Sequence, residues 1–397
     1  MKFFVSGLAT AALALFGFFL FFGKTSDSPS PTGTPPAPPT AIQVKQPIAP
    51  EEASLIQIAL ILDTSGSMSG LIDQARAQLW KMVNELAGTS KNGQPVDVEI
   101  ALYQYGNSRL LATDGYVQQI LPFTRDLDAI SEELFKLTTS GGDEYNPWAI
   151  VDAATELNWS EDENSLRLIF LAGNEDFAQG PVTVPEACKA AAEREIIVNP
   201  IFCGPYQEGS RLGWGALGDC TPGRYLNIDH NDEVVHVPTP YDDEVNSLNV
   251  ALNETYIGYG RNAPAAVENQ MAQDVNAASL SSANARTRAF AKSKRAYNNA
   301  SWDLVDRTNA EPEAIKEIEE EELPENMQSM NEEERVAYVQ ELSERRASIK
   351  QQLAELEGKV NAYVVEKREE MGQKATLDEV LIGAMREQAV ANGFRWK

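Results

Sequence analysis

Histidine is nearly missing from this chain, which holds only His230 and His236 in 397 residues. Both stand in DHNDEVVH, with no H-E-x-x-H and no acidic-histidine pair at ligand spacing on a helix, so histidine-based zinc catalysis has nothing to build on. Cysteine is little better represented: Cys188, Cys203 and Cys220 are too few and too dispersed for a zinc site or a disulfide framework. Positive charge is scarce as well, since 33 Lys and Arg against 59 Asp and Glu leave a formal net charge of -26. A phosphate-binding surface needs clustered cations, so nucleic acid and an anionic membrane face are excluded as partners. The large acidic balance reads first as a well-solvated surface. Neither G-x-S-x-G, nor a Walker lysine, nor a cysteine in a nucleophilic setting occurs. Gly258 and Gly260 follow a helix, so their G-x-G is not a dinucleotide fingerprint. These absences point away from an enzyme and leave a hydrolase built on an acidic pair, such as Asp143 with Glu175, as a distant alternative.

What the chain does have, at its start, is a run of about twenty mostly apolar residues from Phe3 to Phe22, flanked by Lys2 and Lys24. That length suits a bilayer span better than the core of a cleaved signal, which is about 7–15 residues. Residues 1–24 therefore read as a membrane anchor, with a removed signal peptide as the competing reading, and export of the remainder is the simpler outcome of either. Residues 25–54 are rich in Pro, Ser and Thr and cannot build a core, so they read as a partly extended tether. An exported chain can join two of its cysteines. Cys203 and Cys220 flank one predicted loop and are the preferred pair, with Cys188 buried and free; three buried thiols are the competing arrangement.

Beyond the tether, apolar runs suited to strands buried on both faces alternate with amphipathic stretches. Strands are expected at 56–62, 96–105, 115–123, 166–172, 196–202 and 224–228. Pro200 hints that its strand nears an edge or bulge. Helices are expected at 69–88, 126–137, 147–157 and 185–195, with a further one opened by Thr239. The alternation defines an α/β fold with a doubly wound, mostly parallel sheet. In such sheets ligands sit beyond the carboxyl ends of the strands. At the end of the first strand lies DTSGSMSG, in which Asp63, Ser65 and Ser67 form D-x-S-x-S. Three hard oxygen donors in one strand-to-helix turn suit a hard divalent cation such as Mg2+. The bland alternative is a cluster in which Ser67 or Ser69 caps the helix.

Residues 55–259 resemble a von Willebrand factor type A domain, on the strength of DTSGSMSG between an apolar strand and an amphipathic helix. YGN at Tyr105, GGDEY at Gly141, AGNEDF at Ala172, NPIFCG at Asn199 and TPYDDEVNSLN at Thr239 further resemble a group of exported bacterial proteins with this domain. The resemblance implies a metal-ion-dependent adhesion site in which Ser65 and Ser67 contact the metal and Asp63 acts through water. It implies a Thr from a second loop, where this chain has Gly141, Gly142, Asp143 and Glu144. Asp143 occupies the Thr position, with Glu144 a further carboxylate and Thr138 and Thr139 possible substitutes; an acidic ligand there brings Ca2+ or Mn2+ into competition with Mg2+. It also implies a T-D-G third loop, where this chain has Gly173 in place of the Asp and offers Glu175 or Asp176 nearby. The function implied is capture of a partner protein through an Asp or Glu carboxylate, in the cell envelope.

The remainder is expected to be helical. Residues 260–330 read as an irregular connector, exposed over 276–300, anchored by Trp302, Leu304 and Val305 and acidic from Glu311 onward. Residues 331–397 hold the clearest helix, with Val339, Leu342, Ile349, Leu353, Leu356 and Val360 in about four heptads interrupted by Arg346. Self-association as a coiled coil competes evenly with packing on the chain's own helices. If the coiled coil carries the function, the chain is a structural envelope scaffold with a stabilising or vestigial metal site. Thr376 with Glu379 forms a capping box before a last helix.

Overall fold

The computed structural model describes residues 54–86, 88–228, 236–371 and 377–396. The anchor or signal segment, the tether up to residue 53, His230 and Thr376 lie outside the described residues. Among the described residues no helix is long and apolar enough to cross a membrane.

The strands are β1 (Leu55–Asp63), β2 (Thr89–Lys91), β3 (Gln94–Pro95), β4 (Asp97–Tyr105), β5 (Val117–Thr124), β6 (Leu166–Gly173), β7 (Ile197–Cys203), β8 (Leu226–Ile228) and β9 (Phe394–Trp396). The main sheet has the order β5-β4-β1-β6-β7-β8, all parallel except β5. β1 is central, and its alternation decides which helix covers which face. Ile56, Ile58, Leu60 and Leu62 face a core shared with α1 (Ser69–Leu86) and α2 (Leu127–Lys136). Ala59 and Ile61 face the opposite core, filled by α3 (Asn146–Glu156) and α4 (Val184–Ala192). Two apolar faces on one strand are what a doubly wound sheet requires. Pro200 pairs with β6, while β8 joins only from Ile201 onward, so the N–H that proline lacks has no neighbour to serve.

The next helices are α5 (Tyr206–Arg211), α6 (Asp242–Asn253), α7 (Ala263–Leu280), α8 (Ser282–Ser293), α9 (Leu304–Ala310), α10 (Glu325–Gln328), α11 (Glu332–Met371) and α12 (Leu377–Ala391). The exposure expected of 276–300, the interruption expected at Arg346 and the preferred cysteine pair are each corrected, and of the two even readings of the α11 seam the chain's own helices occupy it. The segment read as exposed contains α8, which buries Arg286, Arg288 and Lys292. Their charges are matched: Arg288 pairs with Asp128 at 2.7 Å and Asp274 at 2.5 Å, Lys292 with Asp274 at 3.0 Å, and Arg286 with Asp242. The heptad seam of α11 is occupied by the chain itself, since Ile349, Leu353, Leu356 and Val360 pack with α6 and α8, and Val339 and Leu342 with Leu304 and Val305. Arg346 is no defect in that seam: it donates to Asp303 at 2.6 Å, Asp306 at 2.8 Å and the Thr255 carbonyl at 2.6 Å. The disulfide joins Cys188 to Cys220, and Cys203 is buried outside it. Cys203 ends a strand between two others and faces the α1 core, whereas Cys188 and Cys220 come together on the α4 side.

α12 returns to the sheet, where Gln388 and Asn199 exchange amide hydrogen bonds of 3.1 and 2.6 Å, and β9 then pairs with β2.

The cluster around Asp274 contributes to the stability of the fold against acid. Burial acts to raise its pKa, but Lys292 and Arg288 outweigh this and hold the carboxyl far below the ordinary range. A depressed carboxyl stabilises the fold above its unfolded value, about 3.9, and loses that contribution as pH falls toward the folded value. Asp274→Asn is expected to cost about 3–5 kcal/mol at neutral pH, as removing one partner from a buried ion pair does. Urea unfolding between pH 2 and 7 should then show a flatter acid limb than the parent; equal slopes below pH 4 would sink the assignment.

Candidate metal centre

β1 delivers Asp63 to the carboxyl edge of the sheet with 0% exposure. The chain then turns: the Ser65 amide donates to Asp63 Oδ1 at 2.7 Å, and the Thr64 amide to the Tyr105 carbonyl at 2.8 Å. An Asp whose side chain takes the amide two residues on is how such a turn is closed locally. The turn brings Ser65 Oγ to 3.3 Å from Ser67 Oγ, just before α1 begins. The structure therefore gathers Asp63, Ser65 and Ser67 as the motif requires.

The second loop contributes a different carboxylate from the one expected. Asp143 is exposed, whereas Glu144 is 3% exposed and turned inward. The reason lies in the backbone: a side chain on Gly142 would stand 2.4 Å from the Gly106 carbonyl oxygen, so the loop packs glycine against the end of β4. A side chain on Gly106, whose φ is +75°, would meet Asp63 Oδ1 at 2.8 Å and Glu144 Cγ at 2.9 Å. Asp63 and Glu144 thus close over the same glycine. Thr138 is engaged elsewhere, its hydroxyl accepting from Arg109 at 3.1 Å.

In the third loop, Gly173 has no room for the Asp of the resemblance. A Cβ there would lie 2.2 Å from Tyr105 Oη and 3.1 Å from the Trp214 ring. Tyr105 is fixed, donating to Asn146 Oδ1 at 2.7 Å and bonded to the Ala172 carbonyl at 3.0 Å. Glu175 and Asp176 are exposed, although the Glu175 charge still acts on Asp63 and Glu144. The residue that reaches the serines is Asn174, whose amide nitrogen lies 3.2 Å from Ser67 Oγ. Sequence reasoning sought a carboxylate here and passed over it; its place one residue beyond the strand was the available signal.

Two buried carboxyls, Asp63 and Glu144, face one another with no Lys or Arg side chain paired to either. Asp63 Oδ2 and Glu144 Oε2 are both buried and have no hydrogen-bond partner beyond the carboxyl they face in one another. Burial raises the Asp63 pKa against the pull of its hydrogen bonds, and burial together with the Asp63 charge raises Glu144 further. Cys203 lies near them, its thiol pushed well up by burial. No group of three His, Cys, Asp or Glu side chains suited to a metal occurs among the described residues. The centre consists of two carboxylates and two hydroxyls, a donor set that fits a hard cation such as Mg2+ or Ca2+ and not a thiolate-seeking one.

The fold and the centre define a doubly wound α/β protein with an oxygen-donor centre at the carboxyl edge of its sheet. No protein-family model and no curated protein matches the chain. Among solved structures it is similar to proximal thread matrix protein 1 from the mussel byssus, at 12% identity over 38% of this chain and 37% of that one, with a TM-score of 0.30. That mussel protein has also been solved with a zinc occupied MIDAS motif. A von Willebrand factor type A protein from Catenulispora acidiphila is 13% identical over 44% of this chain and 39% of its own, with a TM-score of 0.32. The SpRpn10 VWA domain is 14% identical over 49% of this chain and 95% of its own, with a TM-score of 0.31. The chain thus spans about two fifths of the mussel protein's length.

Gly173→Asp, which would supply the carboxylate usual in the resembling domains, is expected to destabilise the protein by about 1–3 kcal/mol through overpacking. Tyr105→Phe in the same chain should recover part of that loss. Thermal melts of the single and double variants check both; a Gly173→Asp protein as stable as the parent would show that Tyr105 and Trp214 do not fill the space.

Proposed function

We propose that Asp63, Ser65, Ser67 and Glu144 hold Mg2+, with Ca2+ or Mn2+ as competitors, and that the chain is a protein-binding module whose cation accepts a partner's Asp or Glu carboxylate. The observation that carries this reading is the pair of buried carboxyls Asp63 and Glu144, which have no basic side chain beside them and face one another next to the Ser65 and Ser67 hydroxyls. A carboxylate suits the partner's role because it adds an oxygen ligand and negative charge to a hard cation. Asp143, exposed on the rim, belongs to the surface the partner meets rather than to the inner ligands.

On this reading the module is exported and tethered by its N-terminal segment in the cell envelope. The Cys188–Cys220 disulfide supports an oxidising compartment. The scaffold alternative, acting through self-association of α11, loses support because the apolar seam of that helix is covered by α6, α8 and α9.

Removing a carboxylate from the centre should act oppositely on stability and binding. Without a cation, Glu144 holds a proton beside Asp63, and Glu144→Gln replaces that neutral carboxyl with a neutral amide of the same shape, so its thermal midpoint in chelator should equal or exceed the parent's. Its Mg2+ affinity should drop, and Asp63→Ala should lose Mg2+ binding while staying folded. Calorimetric Mg2+ titration with melts in chelator tests this, and undiminished Mg2+ binding by Asp63→Ala would overturn the reading.

A further inference from the structure

The third loop, residues 173–183, brings Asn174 to Ser67, and what fixes that loop lies farther along the chain. Trp214 is 0% exposed, and its indole Nε1 donates to the Glu175 carbonyl at 2.8 Å. Its ring meets Phe177 and Phe202 edge-on, with centroids 5.2 and 5.6 Å away, and fills the space beside Gly173. The Phe177 amide donates to the Leu212 carbonyl at 2.9 Å. Trp214 and its neighbours therefore clasp the loop at residues 173, 175 and 177.

The clasp has its own fastening. Trp214 lies just before the short 3-10 turn Ala216–Asp219, and Cys220 at the end of that turn is bonded to Cys188 on α4. α4 is the helix into which the third loop runs, through a capping box of Thr183 and Glu186. The disulfide thus ties the far end of the loop to the segment that clasps its near end.

We infer that Trp214 is a positioning residue for the cation centre and that the Cys188–Cys220 disulfide makes the centre's cation affinity depend on redox state. The inference rests on the cation reading above. A dithiol reduces the disulfide to two thiols while closing to its own cyclic disulfide, so two electrons and two protons pass to the protein. Trp214 is then retained only by its packing and hydrogen bonds, without the covalent tie to α4, so residues 173–183 gain freedom and Asn174 holds Ser67 less firmly. Groups that orient metal ligands in this indirect way typically contribute about 10–100-fold to affinity.

The test titrates the full chain with Mg2+ in its oxidised form and after dithiothreitol, and follows amide hydrogen exchange of residues 173–183 in chelator. Reduction should weaken Mg2+ binding about tenfold, the low end of that range, and speed exchange in this loop while β1 and β6 stay protected. Cys188→Ser with Cys220→Ser should reproduce both effects without a reductant. Trp214→Phe keeps a ring but loses the N–H donor, so the oxidised variant should bind Mg2+ several-fold more weakly. Equal affinity of oxidised and reduced protein overturns the inference, even if reduction lowers the thermal midpoint. If reduction and the serine pair both unfold the chain, oxidised Trp214→Phe decides, and unchanged affinity overturns the inference there. An oxidised parent that binds no Mg2+ removes the cation reading itself, a separate result.

Discussion

Burying charge is the constraint on which this structure turns. Taking an ion out of water costs several kcal/mol, so a buried charge must find a counter-charge. Arg288 and Lys292 find Asp128 and Asp274, Arg286 finds Asp242, Arg346 finds Asp303 and Asp306, and Arg167 finds Glu195. All but the last bind the C-terminal helices into the fold: Arg288 fastens α8 to α2 and α7, and Arg346 fastens α11 to the Asp303–Asp306 turn. Among the described residues, Asp63 and Glu144 are the buried carboxylates with no such cation. The exception stands at the carboxyl edge of the sheet, where the fold places ligands.

Much of the sheet was legible because its signal is local. Runs such as LIQIALILD and LRLIFLAG can be buried on both faces only inside a parallel sheet, and the helices between them carry apolar residues at helical spacing. The turn from Asp63 to Ser67 was legible for the same reason, since five consecutive residues set its geometry. What failed depended on contacts remote in sequence. Arg286, Arg288 and Lys292 look like solvent-facing residues until Asp128, Asp242 and Asp274 are brought to them. The α11 seam has the spacing of a coiled coil, and spacing does not say whether the partner is another copy or the chain's own α6 and α8.

The centre shows both outcomes within a few residues. Glycines at 142 and 173 could be read, but not what they make room for: the Gly106 carbonyl in one case, Tyr105 and Trp214 in the other. A one-residue difference in where the second loop turns decides between Asp143 and Glu144, and boundaries of that size are what pattern reading fixes least well. The disulfide was misassigned on similar grounds. Flanking one loop is a property of the sequence, whereas pairing depends on which face of the sheet each cysteine reaches.

A glutamate in the inner position also changes what a bound cation has left to offer. A threonine would leave Asp63 as the sole buried anion, and a divalent ion would keep net positive charge toward a partner. On the proposed reading, two carboxylates would balance the two charges of the ion, so the chain would hold it more firmly and a partner's carboxylate would be recognised less by charge than by fit. Glu175, Asp176 and Asp143 on the rim reduce that attraction further. On the proposed reading, selectivity at this centre therefore comes from the shape and hydrogen bonding of the surrounding loops rather than from charge alone. That places the burden on the positions of Ser67, Asn174 and the third loop, which Trp214 sets from beneath.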